Sequence, residues 1–203
     1  NPELSRSAEA IRTSKRELVM QILTVFVFPI LFIRFGFVPI EWRIPLLVGL
    51  VTLLVIILFT EQWNRKMLGM STVSFWKYWK QYALFTIVGA ALILVFGESI
   101  SGIEEHARWW EHRHFLYLFF IVSAFQEIAY RGYLIPALAK LFKNTTTLVI
   151  ANVLLFVLLH SIFPNPAINL PIALVGGIGF ALMYLRYPSL PLIIIAHAIL
   201  NFF

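Results

Sequence analysis

The chain of 203 residues contains no cysteine. Disulfide staples, thiolate nucleophiles and cysteine metal sites are therefore excluded. Charge is scarce. Asp, Glu, Lys and Arg make up 13% of the chain, about half the share usual in a soluble domain. No internal repeat is visible. The stretch leading to Glu17 is too polar to be the apolar core of a signal peptide. The glycine-rich run at 175–181 follows no strand and precedes no Lys-Ser/Thr pair. It reads as small residues that let helices approach closely, not as a phosphate-binding loop.

What is present is mostly hydrocarbon. Hydrophobic residues make up 60% of the chain, and the mean hydropathy is +0.85. Those values point to an all-α integral membrane protein. Spans of about 20 apolar residues are needed to cross a bilayer. Candidates run over 18–37, 44–60, 82–96, 115–142, 146–163, 168–187 and 190–203. The expected fold is a bundle of about seven transmembrane helices, or eight with an omitted tail, because the last apolar run stops at Phe203. Residues 1–17 read as a cytoplasmic lead-in or an interfacial helix. Residues 18–203 read as a single multi-span domain, with its polar site in the helices covering 115–203.

The net charge of +6 fits topology better than nucleic acid, because no basic patch alternates with exposed aromatics. With a cytoplasmic N-terminus, Arg6, Arg12, Lys15, Arg16, Arg65, Lys66, Lys77, Lys80, Lys140, Lys143 and Arg186 fall on the inner side. Only Arg43, Arg108 and Arg113 fall outside. Such a bias sets orientation in a bilayer. The segment 61–81 mixes Trp with Lys and is expected to lie along the inner interface. In the outer loop, Trp109 and Trp110 read as interfacial anchors. His106, His112 and His114 read as solvated histidines beside glutamates.

Against this apolar background a few polar residues stand out. Glu127 and Arg131 are four apart and share a helix face. Asn152, Phe156 and His160 form a stripe on the next span. His197 and Asn201 do the same on the last. Taken singly, each has a bland reading: a packing ion pair, a satisfied histidine, a polar rung between helices. Charged groups in hydrocarbon cost several kcal/mol unless paired or hydrated. Three helices delivering acid, base and amide groups to similar depth are best satisfied against one another around water.

In order and spacing, these residues resemble the CAAX-protease and bacteriocin-processing family of intramembrane glutamic endopeptidases. The family's Glu-Glu-x-x-x-Arg corresponds to Gln126, Glu127 and Arg131, with Gly132 following. Its Phe-x-x-x-His corresponds to Phe156 and His160, and its His-x-x-x-Asn to His197 and Asn201. The resemblance covers about 115–203 and implies a glutamic-type intramembrane protease. It would cleave a membrane-anchored peptide or protein near its C-terminus with Glu/His-activated water. Gln126, Glu127, Arg131, His160, His197 and Asn201 would be the catalytic set, with Tyr130, Asn152 and Phe156 lining the substrate. Pro136 would kink the fourth span, for packing or for substrate entry.

Gln126 departs from the pattern, since the family's leading Glu is taken to activate water with the first His. Glu127 could serve instead, the glutamine could be an engineered trap, or the chain could be a catalytically silent scaffold that binds a partner. Glu127, His160 and His197 could also form a zinc site. Without an HExxH motif, and with Arg131 close by, chemistry without a cofactor is expected. A small proton-coupled transporter is a third reading, but inverted repeats are not apparent. The expected location is a prokaryotic plasma membrane. The sequence does not set the oligomeric state.

Overall fold

The computed structural model describes residues 7–101, 113–163 and 165–201. Among them there is no strand. After a helical turn at 7–10, helix α1 runs Lys15–Ile22, a π turn spans Leu23–Val27, and α2 runs Phe28–Arg34. A 3-10 turn at Ile40–Trp42 leads into α3, Arg43–Thr60. Then come α4, Thr72–Ser101, and α5, Arg113–Glu127. A second π turn spans Ile128–Leu134 and is followed by α6, Ile135–Leu141. The last elements are α7, Thr145–His160, α8, Pro166–Arg186, and α9, Leu190–Leu200.

Local chemistry sets most of these boundaries. Ser14 and Glu17 form a reciprocal capping box that opens α1. Asn144 accepts from the Thr146 amide and opens α7. Prolines follow both π turns, at Pro29 and Pro136. A proline has no N–H, and its ring crowds the carbonyl four residues back. A widened turn just before it relieves that crowding without ending the helix. The backbone stays helical through Pro136.

Among the described residues four helical stretches are long and apolar enough to cross a membrane: Lys15–Arg34, Ile40–Thr60, Thr72–Val95 and Pro166–Arg186. Helices α7 and α9 are shorter apolar helices. Four of the seven spans read from sequence thus have a helix of crossing length among the described residues. The third span also differs from its expected start. Instead of a short span after an interfacial helix, α4 is one continuous helix from Thr72, because no proline interrupts it.

The packing is inside-out relative to a soluble protein. Phe59, Val73, Trp76, Leu84 and Val175 are all more than 60% exposed, while Glu127, Arg131, Ser123 and Asn152 are fully buried. Helix α8 packs along α7, and α9 lies against α4 and α5. Gly177 permits the first contact: a Cβ there would come within 3.1 Å of Phe156 Cδ1. The segment leading into α1, and α1 itself, bond to other elements of the bundle. Lys140 Nζ donates to the Ile11 carbonyl, and Gln21 bonds Glu61. Tyr82 bonds the Tyr187 carbonyl and Tyr184 the Leu68 carbonyl. Basic residues read as inner thereby share one end of the bundle.

Candidate active site

The site is built where α5 gives way to its π turn. Glu127 is the last residue of α5, and Arg131 lies within the turn. Arg131 Nη1 donates to Glu127 Oε1 at 3.0 Å, with both side chains fully buried. Nη2 reaches the Gly177 carbonyl at 3.4 Å. The guanidinium carbon lies 4.5 Å from the Phe156 ring centre and 5.3 Å from that of Phe180. An isolated buried pair rarely repays its desolvation. Here a carbonyl and two aromatic faces add to the carboxylate's share.

His197 supplies the second partner of the same oxygen. Its Nδ1 lies 2.5 Å from Glu127 Oε1, and its ring stacks on Phe180 with centroids 4.7 Å apart. One turn further along, Asn201 Nδ2 donates to Ser123 Oγ at 2.9 Å. Asn201 is thus joined to the residue one turn before Glu127, not to Glu127. Glu127 Oε2 and Arg131 Nε are buried and have no partner among the described residues. Glu127 therefore keeps one oxygen free while the other is doubly held.

His160 arrives from α7. Its Nδ1 points at the Phe156 carbonyl, 2.8 Å away. Since that carbonyl can only accept, the proton sits on Nδ1 and leaves Nε2 as the acceptor of the neutral ring. Phe156 separates this ring from the others. Its centroid is 4.6 Å from that of His160 and 6.1 Å from that of His197. Among the described residues no three of His, Cys, Asp and Glu gather closely enough to hold a metal ion. His106 and His112 lie outside the described residues, and so does the side chain of His114.

The remaining sequence candidates divide. Gln126 is buried beside Glu127, at 9% exposure. Phe156 forms the wall described above. Tyr130 turns away from the carboxylate: its hydroxyl donates to the Leu155 carbonyl at 3.1 Å, and its ring packs edge-on against Phe26 and Phe156. The expectation that Tyr130 lines the substrate assumed α-helical spacing, which the π turn alters. Asn152 is fully buried and donates to the Tyr130 carbonyl at 2.8 Å. It braces the π turn rather than presenting its amide nitrogen to a substrate. Sequence reasoning missed Ser123, Phe180 and the Gly177 carbonyl. Glycine in an apolar run signals close packing, but nothing marks which carbonyl meets an arginine.

Residues 108–203 match the family model described as type II CAAX prenyl endopeptidase, Rce1-like. The site-bearing segment is thus similar to the CAAX-protease family. The match begins just before α5 and takes in every motif residue from Gln126 to Asn201. No curated protein and no solved structure matched the chain. The family is one of intramembrane proteases. Together with four helices among the described residues that are long and apolar enough to cross a bilayer, the match supports an integral membrane protein.

Proposed function

We propose that the chain is a glutamic-type intramembrane endopeptidase that cuts a membrane-anchored peptide or protein near its C-terminus. One observation carries the reading. Glu127 is fully buried and held on Oε1 by Arg131 and His197, yet Oε2 has no partner among the described residues. A carboxylate held in this way is oriented and still able to accept a proton.

In the proposed reaction Oε2 takes a proton from water as the water oxygen attacks the scissile carbonyl. Arg131 offsets the charge that Glu127 carries before the transfer. The proton then passes from Glu127 to the departing amine. His160 offers Nε2 to the same water. His197 and the second N–H of Asn201 face the developing oxyanion, where one donor is worth about 3–4 kcal/mol. Gln126 cannot take a proton, but its amide can hold the water or the substrate carbonyl. Phe156 shapes the wall beside the peptide. No metal enters these steps, and a chelator should leave the rate unchanged.

The alternative is a catalytically silent scaffold, and Gln126 is what favours it. Turnover of a farnesylated CAAX peptide bearing a quenched fluorophore separates the two. Under the proteolytic reading the chain as written cleaves the probe, and Glu127→Gln lowers the rate by about 10²–10⁴-fold. A chain that gains cleavage only on Gln126→Glu would assign the base to position 126. Cleavage unaffected by Glu127→Gln, His160→Ala and His197→Ala combined would end the proteolytic reading.

The proposed setting is a prokaryotic plasma membrane crossed several times, with the N-terminus and residues 61–81 cytoplasmic and residues 97–114 outside. The gathering of basic residues at one end of the bundle supports that orientation. Cysteine labelling at Ser7 and Ser101 tests it, and labelling of Ser101 from the cytoplasmic face alone would reverse it.

A further inference from the structure

Helices α5 and α9 are joined by two side-chain bonds. Glu127 Oε1 meets His197 Nδ1 at 2.5 Å, and Ser123 Oγ accepts from Asn201 Nδ2 at 2.9 Å. On each helix the two residues are four apart, so the bonds stack as rungs one helical turn from each other. Ser123 is fully buried. The three sequence motifs pass over it, and no step of the proposed reaction uses it.

We propose that Ser123 is a positioning residue. By holding Asn201 it fixes the register of α9 on α5 in which His197 meets Glu127. The catalytic half of this inference rests on the proteolytic reading above, while the geometric half does not.

The need for such a rung follows from what α9 is made of. The helix has 11 residues, LPLIIIAHAIL, and only His197 among them is polar. An apolar helix surface gains little by choosing one register over another, because neighbouring side chains and lipid offer similar surroundings. Close packing fixes part of its position: a Cβ on Gly89 of α4 would come within 3.0 Å of Leu200 Cδ2. That contact limits approach but does not aim an imidazole. Two polar rungs on one face do, since each bond is lost with a displacement of about 1 Å. The 2.5 Å contact at Glu127 is the more demanding of the two. Asn201 also ends the helix: its own N–H bonds back to the His197 carbonyl. The amide that Ser123 holds is therefore tied through the backbone to the catalytic histidine's turn.

The test uses the full chain in detergent micelles with two readouts. One is turnover of the farnesylated CAAX peptide. The other is the far-downfield proton resonance of the His197–Glu127 bond, which needs no substrate. Ser123→Ala should lower kcat about 10- to 100-fold, as a misplacement near 1 Å does, with KM changed by less than about twofold. The downfield resonance should move or broaden. Ser123→Thr keeps the hydroxyl and should restore both readouts. Asn201→Ala should move or broaden the resonance in the same way, and combining it with Ser123→Ala should add nothing, because one bond has been removed twice.

Wild-type kcat and an unmoved resonance in Ser123→Ala would overturn the proposal. So would a double variant whose defect is the product of the two single ones. If Ser123→Ala does not fold, the resonance in Asn201→Ala decides the geometry by itself, an unmoved signal counting against the proposal. If no version cleaves the peptide, the proteolytic reading falls, and the resonance still reports whether Ser123 sets the register.

Discussion

The two π turns, Leu23–Val27 and Ile128–Leu134, use the same backbone device and serve different ends. Each is followed by a proline, and each continues into a short α-helix. They also touch. The Phe26 ring packs edge-on to Tyr130 at 5.1 Å and parallel to Tyr133 at 6.1 Å. The first turn has the sequence LTVFV, with Val25 and Phe26 buried. The second contains Arg131, follows directly on Glu127, and has one carbonyl braced by Asn152. A widened turn is therefore not itself a site. It loosens the helix so that side chains and carbonyls can turn to neighbours, and the residues placed there decide whether chemistry follows.

If that contrast is right, the largest loss should come from the polar turn. Arg131→Met leaves Glu127 as a buried charge with its main cationic partner gone. Breaking a buried pair from one side costs about 3–5 kcal/mol. Unfolding in detergent micelles should show a loss of that size, together with loss of peptide cleavage. Val25→Ala in the apolar turn removes two methyl groups and should cost about 1–2 kcal/mol. Equal losses at both positions would mean that the two turns are alike and the ion pair is incidental.

Asn152→Leu tests the brace on the polar turn. It strands the Tyr130 carbonyl, which accepts from Asn152 at 2.8 Å in a fully buried setting. An orphaned buried acceptor costs about 1–3 kcal/mol. Part of this is recovered, because Asn152 Oδ1 is itself buried without a partner among the described residues and leaves with the side chain. The same unfolding measurement should give a net loss of about 1 kcal/mol, with cleavage falling further than stability predicts. Unchanged cleavage would remove the brace from the account of the site.

The sequence makes parts of this legible and hides others for physical reasons. Spans are written in composition, because lipid admits few polar side chains. The Glu127–Arg131 pair is written in spacing, since residues four apart stay neighbours in an α-helix and in the slightly wider turn. Tyr130 is where spacing misleads: the extra residue of the π turn carries its hydroxyl to Leu155 instead of the substrate. Ser123 leaves no mark, because a serine in a transmembrane helix commonly bonds its own backbone. The bond from Asn201 to Ser123 was not legible, since sequence does not give the register between α5 and α9. The unbroken course of α4 was hidden by the Trp and Lys residues of its first turns, which read as an interfacial helix.

The smallest effect should come from the prolines themselves. Pro29→Ala and Pro136→Ala each restore an N–H and remove the crowding that favours a π turn. If proline alone held the turns, both would rewind to α-helix. The rewinding would rotate Phe26 off Tyr130 in one case and shift the Glu127–Arg131 pair against His197 in the other. Each turn is also held from outside, the first by the Phe26 ring against Tyr130 and Tyr133, the second by the Arg131 and Asn152 bonds. Those contacts outweigh the restored backbone bond, which is worth about 1 kcal/mol net. Both variants should therefore change stability by less than about 1 kcal/mol and keep the downfield resonance of the His197–Glu127 bond. Loss of that resonance in Pro136→Ala alone would show that the proline, and not the side chains, keeps the polar turn open. The two turns would then differ in cause as well as in use.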